Sequence, residues 1–438
     1  MKSSSTRRTI VAAAGVFALA LPLAACSGGD GGGGDGDGTE ITFLTQNVEQ
    51  NITAAEALIE AFEAENEDIT VKLETQPAGT EGDNLIKTKL STGEMEDVFY
   101  YNSGSLFQAM NPDQYLVNLD DQEWVGDLID TMEPVVSTDN GLYGAPFGAT
   151  QAGAVMYNKP LYEELGLSVP TSWEEFAANN EAVVAAGKTA VIQTYGDTWT
   201  SQLFVLGDFG NVLAQDPEWA EAYTANERKY TEDPAFQGFA NQGEAAEAGW
   251  FNEDFASATL DDGIRMIATG EGAHYPMLTG TVSSISQNYP DNIDDVGVFP
   301  LPAQDAGDTK LTVWLPNAVY IPKTTEGDKL EAAKTFVAFL NSPAGCEIQT
   351  TVMIPSGPFA TTACTLPDDV PGLLKDMQVY FDEGNTNPAL EFLSPIKGPN
   401  LENITVEVGS GIRSAEDGAA LYDEDVKKQA QQLGLEGW

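Results

Sequence analysis

Only one histidine, His274, occurs in 438 residues. A single imidazole excludes an HExxH zinc site and any multi-histidine metal centre. No Gly-x-Ser-x-Gly elbow occurs either, which removes the serine hydrolases built on that turn. Gly187-Lys188-Thr189 ends like a P-loop, but Ala182 stands where the motif needs its first glycine, and the loop then cannot wrap a phosphate. Basic residues are scarce: 20 Lys and Arg face 68 Asp and Glu, for a net charge of −48. A surface this acidic repels nucleic acid and anionic lipid. The carboxylates do not make a catalytic pair by abundance. Asp120-Asp121, Asp261-Asp262 and Asp294-Asp295 are sequence neighbours, whose side chains diverge on a helix or strand, whereas a glycosidase needs two carboxylates facing one bond. No cofactor and no metal are expected. His274 lies in the apolar run Gly272–Met277 and reads as a buried structural residue.

Long apolar runs are missing too, except one. Ile10–Leu23 follows Lys2, Arg7 and Arg8, and ends in Leu23-Ala24-Ala25-Cys26. The run is shorter than the ~20 residues of a membrane span. A positive start, an apolar middle and small residues before a cut are the parts of a signal peptide, and the Cys after Leu-Ala-Ala resembles a bacterial lipobox. Residues 1–25 are therefore expected to be removed and Cys26 to carry lipid. Arg7-Arg8 leaves open whether export follows the general or the twin-arginine route. Residues 26–40 are mostly Gly and Asp, a tether that buries nothing. The body would sit outside the cytoplasm, attached to the cell membrane through lipid alone. Of three cysteines, Cys346 and Cys364 remain; in an exported chain they are expected to form a disulfide, worth roughly 3 kcal/mol by loop entropy.

The body alternates strand-like and helix-like segments, which indicates α/β layers. Ile41–Leu44 reads as a strand, and Thr53-Ala54-Ala55-Glu56 as a capping box opening a helix to Asn66. Ile69, Val71 and Leu73 alternate as in a half-buried strand, a helix covers Leu85–Leu90, and Val98–Tyr101 suits a central strand. Leu330, Ala333, Val337 and Leu340 mark a helix stopped by Asn341-Ser342-Pro343, and a last helix runs over Ala419–Leu433 to Gly434.

A resemblance joins these pieces. It rests on Phe62–Asn66, Gly93–Val98, Gly141–Pro146, Met156–Lys159, Leu165-Gly166-Leu167 with Pro170–Phe176, Val296–Pro302 and Ala332-Ala333-Lys334, in that order. The chain resembles the family 1 extracellular solute-binding proteins of ABC importers, the group of maltose-binding protein. That resemblance implies a two-lobed periplasmic-binding-protein-like α/β fold, each lobe a doubly wound sheet, with the ligand cleft between lobes. Residues 41–147 and 298–345 would form the first lobe, and 148–297 and 346–438 the second, with crossings near Phe147–Gln151 and Val298. It also implies a monomer that captures a sugar or oligosaccharide and delivers it to ABC permease subunits.

Sugars offer C–H faces to aromatic rings and hydroxyl rims to amides and carboxylates. Loops after the carboxyl ends of strands are where such sheets bind ligands. Gln46 and Asn47 follow the first strand, and Tyr101 and Asn102 end Asp97–Asn102. By resemblance, Tyr101 falls where the family places a stacking tryptophan, and Gln151 where it places a cleft glutamate. Trp199, Trp250 and Trp314 have polar or loop-like surroundings and are expected to stack on ligand or to pack structurally. Leu278-Thr279-Gly280-Thr281 departs from the Gly-x-Trp platform common in the family. A secreted carbohydrate-active enzyme or a surface adhesin is the alternative.

Overall fold

A computed structural model of the chain describes residues 38–77 and 80–438. The signal segment 1–25, Cys26 and the tether as far as residue 37 lie outside the described residues. The tether ends earlier than expected, because strand β1 (Thr39–Gln46) already begins at Thr39.

β1 is buried on both sides at Ile41, Phe43, Leu44 and Thr45. It lies between β2 (Ile69–Gln76) and β3 (Val98–Tyr101), parallel to both. The helix between β1 and β2, Glu49–Glu65, starts four residues before the expected capping box. Thr53 is thus a helix-interior residue, and Val48 takes the cap position with no side-chain hydrogen bond. The apolar spacing is as expected: Ala54, Leu58 and Phe62 are buried.

Two further strands complete the first sheet. β4 (Gly144–Phe147) and the late strand β10 (Asn317–Tyr320) give the order β2-β1-β3-β10-β4, with β10 antiparallel to both neighbours. The second sheet is built around β5 (Gln151–Asn158). β6 (Thr189–Val191), β7 (Gly272–Leu278), β8 (Val296–Phe299), β9 (Leu311–Trp314) and β11 (Thr386–Pro388) give the order β11-β9-β5-β7-β6, with β8 also on β5. Both sheets are mixed rather than wholly parallel.

The return crossing expected near Val298 lies elsewhere. Val296–Phe299 pairs antiparallel with Val155–Asn158, and Thr312–Trp314 pairs with Gln151–Gly153, so both strands belong to the second sheet. The chain rejoins the first sheet only at Asn317, opposite Phe147. The boundary expected after residue 345 also moves, because the helix Pro343–Val352 packs on Glu49–Glu65 in the first lobe. Helix Gly372–Asp382 packs on β8 in the second. The last crossing therefore falls between 352 and 372.

The three crossings run side by side. Phe147 faces Asn317 and Gln151 faces Trp314, which brings Gly148–Thr150 alongside Leu315-Pro316. Thr150 N–H donates to Pro358 O at 2.8 Å, Ser356 Oγ donates to Thr150 O at 2.8 Å, and Thr279 Oγ1 donates to Ser356 O at 2.8 Å. Gly148 has φ 98°, a backbone state that favours glycine. Cys346 and Cys364 stand at disulfide distance, their Cα atoms 5.8 Å apart.

Two buried ionisable groups in the second lobe respond to pH in opposite directions. His274 is fully buried, with Nε2 2.7 Å from Tyr162 Oη and Nδ1 2.7 Å from Asn180 Oδ1. An acceptor amide oxygen requires Nδ1–H, which leaves Nε2 to accept from the phenol, a neutral imidazole satisfied at both ends. Burial pulls its pKa down to about 3, and burial pushes the Asp208 carboxyl up to about 8. The histidine's contribution is complete above its unfolded pKa near 6.5 and is lost as pH falls toward 3. The aspartate's contribution is complete below its unfolded value and is lost as pH rises through 8. Between pH 6.5 and 5 the two slopes oppose, each roughly 1.4 kcal/mol per pH unit. Denaturant melts across that window should show Asp208→Asn losing stability on acidification and His274→Gln gaining it, relative to a flatter parent. Identical slopes in all three would refute the assignment.

Candidate functional site

Strand direction decides where a ligand can sit. β1, β2 and β3 all end at the edge where β4 ends and β10 begins, which is the edge the crossings leave from. In the second sheet β5 begins, and β7 and β9 end, at the edge the crossings enter. Each lobe thus offers its crossing-side strand ends to the other across the hinge, the place where such sheets take ligands.

On the first lobe this edge holds unpaired polar atoms. Thr45 Oγ1, Gln76 Oε1 and Tyr101 Oη are buried and have no hydrogen-bond partner among the described residues. Gln76 and Tyr101 share a sheet face with Gln46, while Thr45 lies on the other; such groups require an account, and a hydroxylated ligand or ordered water entering the edge supplies one. Burial, reinforced by the Asp83 carboxylate, holds the Tyr101 phenol above its ordinary pKa, so it remains a donor at neutral pH. Gln46 is half-buried beside Gln76, and Asn47 is exposed with its N–H donating to Gln76 O at 2.7 Å. Asn102 is half-buried, and its carbonyl accepts from Tyr320 Oη at 2.9 Å. Ser103 Oγ donates to Pro316 O at 2.9 Å, and Asn317 Nδ2 donates to Tyr100 Oη at 2.6 Å, fixing this edge to the second crossing.

On the second lobe Gln151 and Trp314 are register partners. The indole of Trp314, only 9% exposed, lies on Gly153, where an added Cβ would stand 2.5 Å from ring atom Cζ3. Only glycine leaves that space. Trp314 Nε1 donates to Glu391 Oε1 at 2.7 Å. The segment that replaces the family's Gly-x-Trp platform has a structural use: a side chain on Gly280 would meet Gln151 Oε1 at 2.8 Å, and Thr279 Oγ1 accepts from Ala152 N–H. Gly280 therefore makes room for the Gln151 amide at the hinge edge.

Trp199, on the short helical turn Thr198–Gln202 after β6, exposes 37% of its surface and is free to be a stacking face. Trp250 is not. It is 3% exposed, with its ring 6.1 Å from that of Trp173 and 6.4 Å from that of Phe176, inside the second lobe's core. The reading of Trp250 as a ligand contact is corrected accordingly. Gln76, Thr45, Asn317 and Glu391 were not anticipated. The rule that selected Gln46, the end of a strand, applies equally to Gln76; nothing in the sequence marks Glu391 among 68 acidic residues.

The profile of the bacterial extracellular solute-binding proteins matches residues 46–345, more than half the chain. The chain belongs to that family. It is 25% identical over 291 residues to the multiple sugar-binding protein of Streptococcus mutans, covering 65% of this chain and 67% of that one. It is 22% identical over 294 residues to an uncharacterised ABC transporter extracellular-binding protein of Pyrococcus horikoshii, covering 63% of each. Among solved structures, the binding protein MsmE of Bacillus subtilis in an open conformation superposes with a TM-score of 0.75 at 18% identity, over 92% of this chain and 100% of that one. The ligand-free RafE of Streptococcus pneumoniae gives 0.75 at 20%, over 91% and 99%. These likenesses establish the two-lobed fold of the solute-binding family.

Trp250→Ala acts on the core alone. It should destabilise by on the order of 3–5 kcal/mol, read as a lowered melting midpoint. A variant that kept its melting temperature while losing ligand would return Trp250 to the site.

Proposed function

We propose that the protein captures a neutral sugar or oligosaccharide between its lobes and, as a monomer, delivers it to the membrane permease of an ABC importer. The observation that carries this is the set of buried hydroxyl and amide groups at Thr45, Gln76 and Tyr101, without partners among the described residues, together with Trp314 and the Gln151 amide at the hinge edge of the second sheet. Aromatic faces with convergent amides and hydroxyls suit a polyol. Relatives agree: one curated relative is a multiple sugar-binding protein, and RafE has been solved with raffinose at a TM-score of 0.69. A sugar transporter of Bacillus licheniformis, with a TM-score of 0.64, was solved with stachyose. Gln46, Asn47, Tyr101, Asn102, Gln151, Trp199 and Trp314 are the contacts we assign. None of these residues is basic, so an anionic sugar would find no cation to pair with. The reading involves binding without turnover.

Titration calorimetry with raffinose, stachyose and other neutral mono- to tetrasaccharides should give saturable one-to-one binding to at least one. That ligand should raise stability by about 2.7 kcal/mol at a hundredfold excess over Kd, while sugar phosphates and uronates leave the protein unchanged. Trp314→Ala should weaken binding at least about tenfold, on the order of 1.4 kcal/mol. Hydrolysis of a glycan would favour a secreted enzyme. Affinity for a cell surface with no small ligand would favour an adhesin.

The family's extracellular placement agrees with an exported chain, and no helix among the described residues is long and apolar enough to cross a membrane. The lipobox-like Leu23–Cys26 and the Gly/Asp tether support anchoring through lipid at Cys26. The 5.8 Å Cα separation supports a Cys346–Cys364 bond. One intact-mass measurement on membrane-extracted protein, alkylated without reductant, tests both. A diacylglyceryl N-terminus at Cys26 and no alkylated thiol are expected; an unmodified Cys26 would contradict the anchor, and two alkylated thiols would contradict the disulfide.

A further inference from the structure

The short turn Leu390–Phe392 touches both halves of the candidate site. It follows β11, and Ala389 N–H donates to Val313 O at 2.9 Å, which ties the turn to the strand carrying Trp314. Glu391 Oε1 accepts from Trp314 Nε1 at 2.7 Å. On its other side the turn meets the first lobe. A methyl group on Gly104 would stand 2.9 Å from Phe392 Cα, 3.0 Å from its Cδ1 and 3.2 Å from Glu391 O. Gly104 has φ 68° and ψ −136°, is held by its N–H to Val135 O at 2.8 Å, and directly follows Tyr101-Asn102-Ser103. Backbone therefore meets backbone across the lobes at the loop bearing the first lobe's ligand groups.

We propose that this turn couples the placement of the Trp314 ring to lobe closure, with Glu391 as a positioning residue for the indole and Phe392 as the surface on which the first lobe lands. The assignment rests on the sugar-capture reading of the same site. An indole lying on a glycine has no side chain beneath it to fix its rotation, so the hydrogen bond to a carboxylate selects one orientation. The same three residues make the interlobe contact, so separating the lobes displaces the carboxylate, and releasing the indole frees the turn. Two sites that bias one element are energetically coupled, and the coupling is reciprocal.

Two readouts on the ligand-free full chain test this: tryptophan emission with acrylamide quenching, and the radius of gyration by small-angle scattering. The Trp314 component is defined by subtracting Trp314→Phe. Glu391→Ala should shift that component to the red, raise its quenching and enlarge the radius of gyration. Glu391→Gln, whose amide oxygen still accepts from Nε1, should restore both. Phe392→Ala should open the lobes and also expose the Trp314 component, and Gly104→Ala, which pushes on the same contact from the first lobe, should do likewise. Opening without any change in Trp314 emission, or a changed emission with unchanged dimensions, would overturn the coupling. A Glu391→Gln variant behaving like Glu391→Ala would overturn the positioning role. Neither readout uses sugar, so a protein that bound no saccharide would defeat the capture reading and leave these results to stand on their own.

Discussion

Three strands of chain cross from one lobe to the other side by side, and the rest of the molecule is arranged around that constraint. Gly148–Thr150 and Leu315-Pro316 are held in line by the pairings Phe147–Asn317 and Gln151–Trp314, and Ser356–Pro358 is stitched to them through Thr150 and Thr279. A narrow, hydrogen-bonded bundle permits bending about one axis and resists separation. Because the chain enters and leaves both sheets there, the carboxyl ends of β1, β2, β3, β7 and β9 are forced onto the two edges that flank the hinge. Site and hinge share a place for a topological reason.

The same constraint governs energetics. A ligand shifts the balance between open and closed lobes only by the contacts it makes better in the closed state. The first lobe's hinge edge holds buried groups with no partner among the described residues, and leaving such groups unpaired costs about 1–3 kcal/mol each. The second offers an indole already held by Glu391 and an amide already given room by Gly280. In the proposed reading one lobe contributes hydrogen bonds and the other the Trp314 indole, so a ligand gains fully only by touching both. His274 and Asp208, each buried in the second lobe, speak to folding.

The first lobe is readable because Ile69, Val71 and Leu73 alternate, Val98–Tyr101 is a short apolar run and the helices announce themselves by spacing and stops, as with Leu330–Leu340 before Asn341-Ser342-Pro343. Gly434 ends the last helix in the left-handed conformation, as a terminal glycine suggests. The return crossing was misplaced because Val296–Phe299 is buried on both faces, and a continuous apolar run does not reveal which sheet receives it. Trp250 and Trp314 look alike in sequence. What separates them is a glycine on a neighbouring strand, Gly153, and a ring cluster assembled from Trp173 and Phe176, and both depend on pairings far apart in the chain. Thr53 opens no helix because the helix already begins at Glu49, one turn earlier. Glu391 was invisible because its partner is 77 residues away.

The most direct test of the account is small-angle scattering of the full soluble body with and without a saturating amount of the oligosaccharide that binds it in calorimetry. Closure about the three-strand hinge predicts a smaller radius of gyration in the complex. Saturated binding with no change in dimensions would contradict it.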